Sequence, residues 1–218
     1  MNKNKIQKLQ GTDGIRRESR RSDSSECKGL TPQKIFLEKS WITEQFMELY
    51  AYSHVKNLPK KRKIKNVVVG WDPRDPSGVF IDAVLKGVRK AEATVLKLGV
   101  VPTPLVPLYM ILQKADCGMM ITASHNPNDQ NGIKLFSPFH GIKPLPSDDL
   151  KLSQLVLRQK YALIKKKPAL GKQKNSRKSA LKLFGKFTLF PENSWIDDSV
   201  NFKNINRAFV FVTSKYRP

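Results

Sequence analysis

A chain of 218 residues is long enough for one sizeable core, or for one domain and part of a second. Its 39% hydrophobic and 27% charged residues suit a polar soluble protein; no run of 18 apolar residues marks a membrane span, and the basic start MNKNKIQKLQ lacks the apolar stretch of a secretory signal. The net charge of +22 is uneven: residues 151–218 carry 16 Lys+Arg against 3 Asp+Glu, which fits a polyanion-binding tail, a segment without its acidic partners, or a lysine-rich composition. Cys27 and Cys117 form neither a metal spacing nor a disulfide framework, so a reducing cytoplasm is the expected compartment.

In chain order, Gly11–Arg16 (GTDGIR) is a turn-forming cluster and 17–28 reads as polar loop. Thr31-Pro32 reads as an N-cap followed by proline at the first helical position. Ile35, Phe36, Ile42, Phe46 and Leu49 then recur at helical spacing, predicting one helix over 32–55. Lys60–Lys63 is a solvated connector. Val67–Val69, bounded by Gly70 and Pro73, predicts a strand buried on both faces. Ser77 is the expected cap of a helix whose Phe80, Ala83, Val84, Val88 and Ala91 share a face. Thr94–Leu98 predicts a second strand, Pro102 and Pro104 open a helix near 104–114, and Cys117–Thr122 and Ile133–Phe136 predict two more strands. Strands alternating with helices argue for a layered α/β domain, in which ligands gather beyond the carboxyl ends of strands. The loop at 122–132 leaves from such an end. Later, Leu152–Ile164 predicts a helix, 165–178 is lysine-rich without periodicity, and Ala208–Thr213 reads as a strand. The expected division is a first domain over 1–150, then a basic linker and incomplete second domain over 151–218.

Thr122–Lys134 (TASHNPNDQNGIK) packs a hydroxyl, an imidazole, amides and an amine into one loop. Asn126-Pro127 favours a turn, and Gly132 lets backbone approach a ligand or adopt a positive φ. A serine at such a turn is placed to bear a phosphate dianion. His125, Lys134 and backbone N–H groups would neutralise charge spreading over its oxygens during transfer. On spacing alone, an ordinary turn containing a serine explains the segment at least as well.

The segment T-A-S-H-N-P followed by N-G-I-K resembles the active-site serine loop of the α-D-phosphohexomutases, which include phosphoglucomutase, phosphomannomutase and phosphoglucosamine mutase. Gly11–Arg16, Val67–Gly78 (VVVGWDPRDPSG), Leu98–Pro104 (LGVVPTP) and Ala115–Gly118 (ADCG) are similar to the stretches that accompany it, so five motifs fall in order across 11–136. The resemblance implies a layered α/β/α first domain with a mixed sheet. It implies that Ser124 is phosphorylated and exchanges its phosphoryl group with a hexose phosphate, through a hexose bisphosphate, between C1 and C6. It further implies Mg²⁺ on a phosphoserine oxygen, Lys134 and Arg16 as acid/base and charge-stabilising groups, and His125 as a loop-positioning residue. Asn126, Gly132, Thr12, Asp13 and Arg74 would shape the substrate and phosphate loops.

Three positions depart from the family pattern: Trp71 replaces an arginine, Arg17 a glycine, and Glu92 a small residue. Arg17 is expected to distort the first loop and Glu92 to disturb packing. The sequence contains no Asp-Gly-Asp-Gly-Asp-Arg metal loop; Asp148-Asp149 and Asp197-Asp198 have the wrong spacing. The expectation is therefore an amino-terminal part of a mutase with little or no turnover alone, its remaining domains absent or on a separate chain. The basic stretch 165–178 lacks aromatics, so no specific nucleic-acid partner is expected, only weak salt-sensitive binding.

Overall fold

The computed structural model describes residues 8–11, 14–59, 63–138, 141 and 144–189. The chain divides into two units, residues 1–177 and 178–218. In the second, the described part belongs to helix α7 (Arg177–Leu189). The strand expected at 208–213 lies outside the described residues, as do Asp197 and Asp198.

The first unit holds strands β1 (Ile15–Ser19), β2 (Trp41–Ile42), β3 (Asn66–Trp71), β4 (Thr94–Val100), β5 (Cys117–Ile121), β6 (Gln130–Phe136) and β7 (Gln173–Asn175), with helices α1 (Pro32–Glu38), α2 (Glu44–Asn57), α3 (Val79–Lys90), α4 (Leu105–Leu112), α5 (Pro146–Arg158) and α6 (Tyr161–Lys166). They build one mixed sheet in the order β2-β1-β6-β5-β3-β4-β7. Strand β3 lies parallel to β4 and β5, while β6 runs antiparallel to both β5 and β1. One core joins Val67, Val69, Met119, Ile121 and Ile133 to apolar side chains of α2, α3, α5 and α6. The alternate face, with Val68 and Met120, carries α4, which packs across β3 and β5. Helices on both faces make this the expected α/β/α sandwich.

Several expectations need correction. Residues 17–19, expected as loop, belong to β1, which pairs with β6; its polar sequence hid it because Ile15 alone among its five residues is buried. The helix expected over 32–55 is two helices. Thr31 caps α1 by accepting from the Lys34 N–H at 3.3 Å, and Thr43 caps α2 by accepting from the Phe46 N–H at 3.2 Å. Between them Ser40 turns the chain at φ 56 and β2 pairs with β1.

At α3 the N-cap position is Gly78, not Ser77, and Asp75 meets most of the first-turn donors: its Oδ2 accepts from the Phe80 and Ile81 N–H groups at 2.8 and 3.0 Å, while Ser77 Oγ donates to Oδ1 and makes only a long 3.5 Å contact with the Val79 N–H. Glu92 lies beyond α3, exposed, at φ 65, so it strains backbone and leaves packing alone. Arg17 sits in regular β1 with its guanidinium over the Phe36 ring, and the loop it was expected to distort lies partly outside the described residues. The helix expected over 152–164 is likewise two, α5 and α6. Leu152, Val156 and Ile164 are buried in the main core, and β7 extends the sheet beside β4, so the unit runs past 150 to residue 177.

Candidate active site

Strand β5 ends at Ile121, and the chain enters the serine loop through Thr122, whose N–H donates to the Gly132 carbonyl at 3.0 Å. Ser124 follows at φ 57, a left-handed conformation that costs a non-glycine residue roughly 1–2 kcal/mol. Both of its backbone polar groups are held. Its N–H donates to Thr122 Oγ1 at 2.8 Å, and its carbonyl accepts from Arg74 Nη2 at 2.8 Å.

Arg74 is the centre of this arrangement. Its side chain is 7% exposed and forms an ion pair with Asp72, Nε to Oδ2 at 2.8 Å. Nη1 donates to the carbonyls of Pro127 at 3.2 Å and Gln130 at 2.9 Å, with a longer 3.5 Å contact to that of Asn126. Asp72 Oδ2 also accepts from Thr122 Oγ1 at 2.6 Å, so a continuous path runs Arg74–Asp72–Thr122–Ser124. The fork of N–H donors suits several carbonyls at once, which an ammonium group does less well. Arg74, expected to shape the phosphate site, is turned onto the loop's own backbone.

Asn126 Nδ2 donates to Gln130 Oε1 at 2.7 Å and closes the turn, while His125 is exposed. Gly132 permits a close backbone approach: a Cβ there would collide with the Ile15 carbonyl oxygen, and a Cβ on Gly14 with that of Ile133. These two glycines let β1 and the opening loop lie against β6. The pairing sets Arg16 opposite Gly132, and Lys134 stands two residues along β6, so both cationic residues share one sheet face beside the start of the serine loop. Thr12 and Asp13 lie outside the described residues; the flanking Gly11 N–H donates to the Gly14 carbonyl at 3.0 Å. Asp72, Thr122 and Gln130 escaped the sequence reading, although Asp72 two residues before Arg74 was a visible pairing signal.

No group of three or more His, Cys, Asp or Glu side chains among the described residues is placed to hold a metal ion. Asp72, the carboxylate nearest the serine in the hydrogen-bond path, is engaged by Arg74 and Thr122. The described residues therefore do not fit Mg²⁺ by themselves.

Residues 7–162 match the family model for phosphoglucomutase/phosphomannomutase, alpha/beta/alpha domain I. The chain belongs to this phosphohexomutase family. A phosphoglucosamine mutase of Caldanaerobacter subterraneus subsp. tengcongensis is 33% identical over 170 residues, covering 78% of this chain and 33% of the relative. A probable phosphoglucosamine mutase of Methanosphaera stadtmanae is 31% identical over 160 residues, covering 73% and 30%. The crystal structure of a putative phosphomannomutase from Thermus thermophilus superposes with a TM-score of 0.55 at 24% identity, over 78% of this chain and 33% of that one, a likeness of fold. This phosphohexomutase-family chain spans about a third of the length of the curated relatives it matches.

Proposed function

We propose that this chain supplies the phosphoryl-carrying serine of a hexose-phosphate mutase. In the resting state Ser124 Oγ bears the phosphoryl group. A free hydroxyl of a hexose monophosphate attacks phosphorus, the Oγ–P bond breaks, and Lys134 relays the hydroxyl proton to the departing Ser124 Oγ. The bisphosphate then reorients, Ser124 Oγ attacks its other phosphate while Lys134 passes the Oγ proton to the departing sugar oxygen, and the sugar leaves with its phosphate moved between C1 and C6. Arg16 stabilises charge on the phosphoryl oxygens at both stages. Asn126 and His125 fix the turn and its exposed edge. Glucosamine phosphate is the first sugar to test, because phosphoglucosamine mutase is the name carried by both sequence relatives above.

The observation that supports this reading is the left-handed Ser124, held at its N–H by Thr122 Oγ1 and at its carbonyl by Arg74 Nη2. Metal-ligating carboxylates and sugar-reading loops would come from outside the described residues, either farther along a longer polypeptide or from a separate chain. Sustained turnover by this polypeptide alone is therefore not expected. Intact-mass measurement after incubation with glucose 1,6-bisphosphate and Mg²⁺ tests the transfer. The expected result is a gain of one phosphoryl group that Ser124→Ala abolishes. A gain that survives in Ser124→Ala, or none in either protein, would overturn the assignment and leave the loop as a retained element of the fold.

A further inference from the structure

Residues 158–177 carry eight Lys or Arg and no Asp or Glu. All eight cationic residues are exposed. The segment is not a loose tail, because two adjacent residues at the end of α3 hold its backbone. Lys90 Nζ donates to the carbonyls of Ile164 and Lys165 at 2.9 and 2.8 Å. Arg89 donates to those of Gly171 and Ala169 at 2.8 and 3.0 Å. Gly171 lies so close to the Ala93 carbonyl that a Cβ would collide with it. Ile164 is buried, whereas Leu163 and Leu170, on either side of these anchors, are 63% and 69% exposed.

Backbone pairing fixes where this ledge lies. The Val95 N–H donates to the Lys172 carbonyl and the Thr94 N–H to that of Lys65, both at 2.8 Å, which sets the ledge beside the amino end of β4. Strands β4 and β5 both run parallel to β3, and the serine loop leaves the carboxyl end of β5, so the two features occupy opposite ends of the sheet. Ile64, 51% exposed, stands on the same rim before β3. Glu92 is an exposed acid there and offsets one charge.

We propose that this rim is a docking surface for an anionic lipid bilayer, with Leu163 and Leu170 entering the interface and the lysines meeting headgroup charge. Lysines alone make a solvated face; leucines held proud of it add apolar area that gains by leaving water. Stable peripheral attachment takes two such signals together. Each lysine near an anionic leaflet contributes about fivefold in affinity, and its apolar stem lies along the acyl boundary while the ammonium stays in water. Nucleic acid fits less well. Six of the eight cations are lysine, without the fork that grips phosphate in two places. The segment's one aromatic, Tyr161, is half-buried and donates to Glu48 Oε2 at 2.9 Å, so no base can stack on an exposed ring. Docking at the amino ends leaves the serine loop facing solvent and is independent of phosphoryl transfer.

Co-sedimentation of the full chain with vesicles tests this, using phosphatidylcholine alone or mixed with phosphatidylserine at about 0.15 M salt. The chain should pellet with the mixed vesicles and stay in solution with phosphatidylcholine alone. Leu163→Ser with Leu170→Ser should lower affinity about tenfold; Lys165→Gln, Lys166→Gln and Lys167→Gln together should lower it about a hundredfold. These five side chains are exposed, so urea unfolding should stay the same and the loss reads the surface. No pelleting with mixed vesicles, or equal pelleting with both kinds, would overturn the proposal. So would full affinity in the leucine variant, which would leave lysines that attract any polyanion. Single-stranded RNA that strips the chain from vesicles, and binds the leucine variant undiminished, would make the rim a nucleic-acid surface instead.

Discussion

Two buried cations hold two segments of this domain by the same chemistry and to different ends. Arg74 pairs with Asp72 at 2.8 Å and donates to carbonyls of the serine loop. Lys90 pairs with Glu48 at 2.6 Å and donates to the carbonyls of Ile164 and Lys165 at 2.9 and 2.8 Å, closing the end of α6. Carbonyls at a helix end are ordinary orphans that any donor relieves. Those under Arg74 belong to a loop whose serine is kept at φ 57 with its side chain partly open to solvent. A buried ion pair is therefore no mark of function by itself. What distinguishes the Arg74 pair is the strained residue that its donors restrain.

Removing either cation should give the largest effect, and comparing the two should separate the roles. Arg74→Met and Lys90→Met each strand a buried carboxylate, and each should cost about 3–5 kcal/mol in urea unfolding. Neutralising both partners, as Glu48→Gln with Lys90→Met, should recover much of the loss at that pair. Only Arg74→Met should prevent phosphorylation of Ser124 in the fraction that folds. Loss of phosphorylation in folded Lys90→Met would erase the distinction.

The same contrast explains what the sequence disclosed. The serine loop was legible because its residues are fixed in type, and because Gly14 and Gly132 sit where side chains would strike backbone. Arg74 was visible as a motif residue, but its partners are carbonyls, which leave no mark on residue identity. Thr43 was overlooked as a cap because apolar periodicity runs from Ile42 to Phe46 straight through the break between α1 and α2. Strand β7 was illegible for another reason. Gln173, Lys174 and Asn175 are all exposed, so no alternation marks the strand, which is recognised only by its pairing with β4.

A third buried base sharpens the comparison by lacking a carboxylate. His54 in α2 is buried and its Nε2 has no partner. Burial first, and the nearby Lys65 charge second, pull its imidazole down to about 4. Between its ordinary pKa near 6.5 and about 4, the unfolded chain binds the proton more readily than the folded one. Stability from this group is thus complete above about pH 6.5 and is lost as pH falls, by about 3 kcal/mol at pH 4. His54→Leu should flatten that portion of the curve. The burial of Asp149 raises its carboxyl pKa, an opposite slope that remains in both proteins. Parallel pH profiles for wild type and His54→Leu would show that this imidazole is solvated in the folded state.

The smallest expected effect bears most directly on why the serine loop is clamped. Ser124→Ala and Ser124→Gly both remove Oγ and should both block phosphorylation. They differ in backbone freedom, because alanine resists φ 57 whereas glycine adopts it without a Cβ penalty. Ser124→Gly should therefore exceed Ser124→Ala in stability by about 1 kcal/mol, despite the greater chain entropy of glycine when unfolded. That difference would measure the strain that Thr122 Oγ1 and Arg74 Nη2 hold in place. If the two variants unfolded at the same urea concentration with the same slope, the left-handed turn would be cost-free. The Arg74 clamp would then resemble that of Lys90, closing a segment without restraining a strained residue.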